Sequence, residues 1–176
     1  MRICAWKDCN RPAGKGKYCP ECAKIARAKF KEMIAAKADE KADRENGFAK
    51  LMDEAHAAGL AALSVCVPTP MVVQAHSNPL NDSSPVEKQW FVPAGPCGFA
   101  WVNVRPATSS FARWLVKTYG ERGNGAFGVH KAYRGGLDIW VREGGQSIQL
   151  KEAYANAFAE VLSKAGIKAY SASRMD

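Results

Sequence analysis

Four cysteines fall within the first 22 residues, as Cys4-x4-Cys9, nine residues, then Cys19-x2-Cys22. Two cysteine pairs separated by a turn supply the four soft ligands of a tetrahedral metal centre, so this spacing constrains the amino-terminal end more than any other feature. The intervening RPAGKGKY is turn-like and basic. Cys66 and Cys97 stand alone, a distribution that favours metal over a disulfide framework and a reducing compartment. Four thiolates leave no open coordination position, so the expected ion is a structural zinc held by Cys4, Cys9, Cys19 and Cys22. The CPEC pair runs directly into a helix, which puts Cys22 in the first turn, where the helix dipole favours a thiolate.

From Glu21 to about Ala58 the chain has no proline and one glycine, Gly47, and is rich in good helix formers. A long helix is expected, with Asn46-Gly47 as the place for a break. At 100° per residue, Ile25, Ala26, Phe30, Met33 and Ile34 cover one half of its beginning, while Lys24, Arg27 and Lys31 form a stripe on the other. Residues 1–37 hold 10 Lys+Arg against 3 Asp+Glu, so much of the net charge of +8 belongs to the cysteine-rich end. A basic helix stripe beside a metal module suits phosphate contact, and Lys15, Lys17, Lys24, Arg27 and Lys31 are the candidates. The alternative is an ordinary solvated helix face.

Around Val65 the composition turns to proline and polar turn residues, with two strand-like runs, MVVQ and QWFV. The tract from Ser77 to Pro85 reads as a mobile loop. After Pro96 the signals become regular. Phe99–Arg105 and Leu137–Arg142 alternate as half-buried strands, and Ile167–Ser173 makes a last strand. Thr108 or Ser109 caps a helix carrying Phe111, Trp114 and Leu115; Ser147 caps another carrying Tyr154, Phe158, Val161 and Leu162, with Gly166 at its stop. The fold class is therefore α+β: a small zinc module and long helix, then a β-α-β-α-β sheet domain with both helices on one face. Four segments follow: 1–37, the zinc module running into a basic helix; 38–65, a helical connector; 66–95, a proline-rich linker with short strands; and 96–176, the α+β domain. With 47% hydrophobic residues, intrinsic disorder throughout is excluded.

Alternation separates two strand faces. Val102, Val104, Leu137, Ile139 and Val141 share the aliphatic one. If that set meets the helices, the opposite face presents Trp101, Trp140 and Tyr170 among Arg105, Arg142 and Lys168, a surface suited to stacking bases and neutralising phosphates. Equally, these aromatics form a second core beneath the 61–95 segment or the long helix.

Other constellations are weaker. Gly123-Asn-Gly125-Ala-Phe-Gly128 matches G-x-G-x-x-G but follows a helix, so a flexible loop is the expectation, with His130, Lys131 and Arg134 beside it. Cys97 would be a nucleophile only with His76 or His130 near, and buried packing is the commoner role for such a cysteine. His56, at a helix end, has no assigned role. Asp138, Glu143, Glu152 and Asp176 match no metal-nuclease spacing.

The strings GPCGFAWVNVRPATSSFARWL and LDIWVREGGQSIQLKEAYANAFAEVLSKAGIKAYSASRMD resemble a group of short uncharacterised proteins encoded by tailed bacteriophages. The resemblance covers roughly residues 90–176. It rests on Cys97-Gly98-Phe99-Ala100-Trp101-Val102, Arg105-Pro106, Gln146-Ser147, Tyr154-Ala155 and Ser173-Arg174-Met175-Asp176. It implies a phage origin and no catalytic residues. The cysteine module is similar to treble-clef or zinc-ribbon modules appended to nucleic-acid-handling domains.

No apolar run approaches the ~20 residues of a membrane span, and MRICAWKDCN lacks the core of a secretion signal, so a cytoplasmic protein of the infected bacterial cell, with no membrane partner, is expected. The reading is a non-enzymatic, zinc-stabilised accessory protein that binds nucleic acid, DNA or RNA. A protein-binding host-interaction or inhibitor factor acting on an acidic partner is the alternative. A nucleotide- or nucleic-acid-processing enzyme using the glycine-rich loop, Arg105, His130, Lys131 and Asp138 comes third.

Overall fold

The computed structural model describes residues 2–120 and 127–176. They form two compact units, Met1–Gly47 and Phe48–Asp176. In chain order the elements are α1 (Pro20–Val65), β1 (Met71–His76), β2 (Val86–Val92), β3 (Gly98–Arg105), α2 (Ser110–Tyr119), β4 (Gly128–Lys131), β5 (Leu137–Trp140), α3 (Ile148–Lys164) and β6 (Lys168–Met175). No helix among the described residues is long and apolar enough to cross a membrane.

The first unit joins a turn-rich segment to the first 28 residues of α1. An isolated antiparallel bridge between Ile3 and Pro12 closes the turn, and Asp8, at φ 63°, takes the left-handed conformation that lets the chain double back between Cys4 and Cys9. Pro20 starts α1, a position where its missing N–H costs nothing. Ala23 N–H donates to the Cys19 carbonyl at 2.9 Å, so Cys19 holds the cap position itself.

Helix α1 runs through Asn46-Gly47 without a break, contrary to the sequence expectation. Space around Gly47 is open, and its helix-forming neighbours outweigh the ~1 kcal/mol that a mid-helix glycine costs. The expected 38–65 connector also contributes to a core: Met52 and Ala55 are fully buried in the second unit.

That second unit is built on a four-stranded antiparallel sheet in the order β4-β5-β3-β6. With α2 after β3 and α3 after β5, the order β-α-β-β-α-β is the split β-α-β arrangement of ferredoxin-like domains. Strand alternation decides its layers. Ala100, Val102, Val104, Leu137, Ile139 and Ala169 are buried in one cluster with Phe111 and Leu115 of α2 and Tyr154, Phe158 and Leu162 of α3. Both helices thus cover the aliphatic face, as the sequence indicates. Ser109 Oγ accepts from Ala112 N at 3.1 Å, Ser147 Oγ accepts from Leu150 N, and Gly166, at φ 81°, stands just past the end of α3.

The sheet departs from expectation in one strand. β4 lies in the stretch read as a glycine-rich loop and pairs with β5 through His130 opposite Asp138. Gly123 and Gly125 of the G-x-G-x-x-G string lie outside the described residues. The 66–95 segment makes its own two-stranded sheet, with Val73 opposite Trp90 and Val72 opposite Phe91. Isolated hairpins are marginal in water. Here Gln149 of α3 accepts a hydrogen bond from Thr69 N and ties down the approach to β1. The Ser77–Pro85 tract is a loop, as expected, in which Asn78 Oδ1 accepts from Leu80 N and Asn81 Oδ1 from Ser83 N.

Two glycines of α1 give opposite predictions for the same change. A Cβ at Gly59 would lie 2.7 Å from ring carbons of Tyr154, a buried side chain fixed by its hydroxyl contact to His56 and by stacking on Phe158. Gly59→Ala is expected to destabilise by about 1–3 kcal/mol, more than the helix-propensity gain of ~1 kcal/mol. Gly47→Ala meets nothing and should stabilise its helix by up to ~1 kcal/mol. Urea unfolding followed by circular dichroism reads both signs.

Candidate metal centre and sheet-face groove

The sulfur atoms of Cys4, Cys9, Cys19 and Cys22 all lie within 4.8 Å of one another. Four thiolates about 2.3 Å from a shared tetrahedral ion stand about 3.8 Å apart, and Cys9 Sγ and Cys19 Sγ are separated by 3.9 Å. Backbone N–H groups already aim at the sulfurs: Cys19 N donates to Cys4 Sγ at 3.2 Å and Cys22 N to Cys19 Sγ at 3.5 Å. Cys4, Cys19 and Cys22 are buried, and Trp6 and Tyr18 pack on the cluster, edge to face at 5.9 Å. The thiols are electrostatically unequal. The Arg11 backbone N–H holds Cys9 down to about 6, whereas burial pushes Cys22 up to about 12. A cation among the four sulfurs supplies the charge that lets all of them ionise together. The cluster can hold one metal ion.

The same folding gathers part of the basic surface. Gly14 N donates to Tyr18 O at 3.0 Å and Ala5 N to Lys17 O at 2.9 Å, which closes the GKGK loop on itself beside the first turns of α1. An open groove results, lined by Lys15, Lys17, Tyr18, Arg27 and Phe30. Lys24 and Lys31 are exposed on α1 but do not line it. The apolar half of this helix is exposed too: Ile25, Phe30, Met33 and Ile34 are 45% to 58% accessible.

On the helix-free face of the four-stranded sheet, register sets the neighbours. Trp101 pairs with Trp140 on β5 and Ala172 on β6; Asn103 pairs with Asp138 and Tyr170; Arg105 pairs with Lys168. The two indoles stack at 5.3 Å and 26°. Both are half-buried, while Tyr170 is 58% exposed. An open groove of about 720 Å³ runs over Trp101, Asn103, Arg105, Asp138 and Tyr170, with Tyr133 and Arg134 of the β4–β5 turn and Arg174 at its sides. Trp140 stands behind Trp101, and Arg142 lies outside the groove lining, beside Gly128.

Sequence reasoning missed the polar line across the groove. Arg105 Nε donates to Asn103 Oδ1 at 2.6 Å, and Asn103 Nδ2 donates to Asp138 Oδ1 at 2.6 Å and to Gly135 O at 3.3 Å. Alternation places Asn103 and Asp138 on one face, but only the inter-strand register makes them neighbours. Burial raises the Asp138 pKa, against the lowering effects of Asn103, Arg105 and His130. His130 lies opposite Asp138, and its ring centroid is 6.2 Å from that of Trp140.

Cys97 is exposed, not buried packing as expected, and no hydrogen bond joins it to His76 or His130 among the described residues. His56, left without a role, shares a hydrogen bond with Tyr154 Oη.

Elemental analysis of the purified chain should find one metal ion per molecule, absent from Cys22→Ala. Because the Asp138 pKa is raised, the fold favours its protonated form, a contribution present below the unfolded carboxylate range and lost as pH rises through the folded value. Asp138→Asn should therefore unfold at higher urea than the parent at pH 7, and the gap should close on acidification to about pH 3. Equal midpoints at pH 7 would remove the desolvation argument.

No family model matches the chain, and neither the curated proteins nor the solved structures contain a match.

Proposed function

We propose that the chain is a zinc-stabilised nucleic-acid-binding accessory protein. The observation that carries this reading is the groove of the first unit, where the cysteine cluster holds Lys15 and Lys17 beside Arg27 and Phe30. Zinc fits the donor set, because four cysteine sulfurs in tetrahedral spacing suit a structural zinc site with no open position. In the cysteine-rich unit, lysine and arginine neutralise backbone phosphates and release counterions; Lys24 and Lys31 extend the charge along α1. On the helix-free face of the sheet, Trp101, stacked on Trp140, takes an unpaired base beside Tyr170, with Arg105 inside the groove and Arg142 outside it. The resemblance to phage-encoded proteins adds a setting for this activity, the infected bacterial cell.

A second reading has its own observation. The exposed apolar residues Ile25, Phe30, Met33 and Ile34 suit docking of a protein, and the basic residues around them suit an acidic one.

Fluorescence anisotropy with single- and double-stranded DNA and RNA across a salt series tests the first reading. Affinity should fall steeply with salt, and the combined Lys15→Ala, Lys17→Ala, Arg27→Ala variant should flatten the log–log slope by roughly 0.7–0.9 for each phosphate that is no longer neutralised. Absence of binding to every polymer at low salt overturns it and leaves the basic module as a protein-docking surface.

A further inference from the structure

The helix-free sheet face is ordered in rows. Successive side chains on one strand face are two residues apart, about 6.6 Å along the strand. Beyond the row of Phe99 and Arg174, Trp101 lines the groove with a flat apolar ring. Next comes a hydrogen-bonding row, with Asp138, Asn103 and Tyr170 side by side across three strands. Arg105 then makes the cationic end, its neighbour across β6 being Lys168. Flat ring, hydrogen-bonding middle and cation form the complement of a base, a sugar and a phosphate taken in order.

The aromatic part is sized for one ring. Trp140 stacks on one side of Trp101, so the two indoles act as a single ledge. Across β6 the neighbour of Trp101 is Ala172, too small to cover the other side. Sheets that bind a continuous strand stack two or three bases on separate aromatics. Here Trp101 alone among the tryptophans lines the groove, with tyrosines at its edges.

The cationic part is aimed. Arg105 is exposed, yet its Nε is fixed on Asn103 Oδ1, and Asn103 is itself anchored on Asp138 and Gly135. A guanidinium held by its Nε presents its two Nη groups as a fork, the geometry that recognises phosphate. Arg134 lines the same groove from the β4–β5 turn, while Arg174 lines it at the other end, where its guanidinium lies over the Phe99 ring.

We propose that this groove binds one phosphorylated nucleotide unit, its base on Trp101 and its phosphate on the Arg105 fork, supplied either by a free nucleoside monophosphate or by the phosphorylated end of a single strand. The proposal deepens the nucleic-acid reading at the same sheet face.

Titration of the zinc-loaded 176-residue chain, followed by calorimetry and tryptophan fluorescence, tests it. The probes are the four ribonucleoside monophosphates, their unphosphorylated nucleosides, and single-stranded hexanucleotides with a phosphate at the 5′ end, at the 3′ end or at neither. At least one monophosphate or end-phosphorylated hexamer should bind at least tenfold more tightly than its unphosphorylated counterpart. Arg105→Ala, a change at an exposed side chain, should erase that advantage, and Trp101→Leu should weaken both forms. Trp101→Phe, which keeps an aromatic floor, should retain most of the binding and shows whether loss in Trp101→Leu reflects the ring or the fold. A preference confined to free monophosphates identifies the free ligand as the source, and one confined to hexamers identifies a strand end. Binding indifferent to the phosphate, or to Arg105→Ala, overturns the proposal. So does failure of every probe; if salt-dependent binding of longer strands through Lys15, Lys17 and Arg27 persists, the failure belongs to this site and not to the broader reading.

Discussion

The antiparallel register of β3 between β5 and β6 is the constraint from which the second unit follows. Val102 opposite Ile139 and Val104 opposite Leu137 put one row of aliphatic side chains against α2 and α3. The same pairing, displaced by a single residue, puts Trp101 beside Trp140 and Asn103 beside Asp138 on the other side. A strand has only two faces, so a slip of one residue would exchange the core with the groove. Burying the aliphatic row therefore stabilises the fold and fixes the polar line at the same time. Each side of the sheet depends on the other being correct.

The first unit follows different physics. Its only buried residues among those described are Cys4, Cys19 and Cys22, with Trp6 and Tyr18 half-covering them. Apolar burial on that scale cannot order some twenty residues of turn. The sulfur cluster takes the place of a core, and backbone N–H groups directed at sulfur take the place of a sheet. Cys19 serves twice, as a cluster member and as the cap of α1, so the beginning of the helix and the closing of the cluster are one event.

Much of this architecture is legible in the sequence because it is local. The cysteine spacing, the alternation in FAWVNVR and LDIW, the caps Ser109 and Ser147 and the stop at Gly166 each involve a few consecutive residues. What escaped depends on residues far apart in the chain. β4 has four residues, begins with glycine and holds one buried branched side chain, so it carries too little pattern to be read without its partner β5. The Arg105–Asn103–Asp138 line needs two strands set side by side, and Tyr133 and Arg134 enter the groove from a turn. Asn46-Gly47 misleads in the other direction, since a local breaker signal is overridden by the helix formers around it.

β6 is an edge of the four-stranded sheet, eight residues long; on its outer side Ala169 O accepts from Ser163 Oγ, and along the rest another chain could add a strand. Lys168 and Arg174 stand near its two ends, and the residues between them are small or polar apart from Tyr170. Charge of this kind is a common guard against edge-to-edge association, because a second strand would have to bring its own backbone past two cations. The arginine at one end of the edge also lines the groove. Guarding the edge and shaping the sheet face thereby fall to the same side chain. Neutral substitutions chosen to trim the positive charge of this surface would also leave a longer, barer edge open to aggregation.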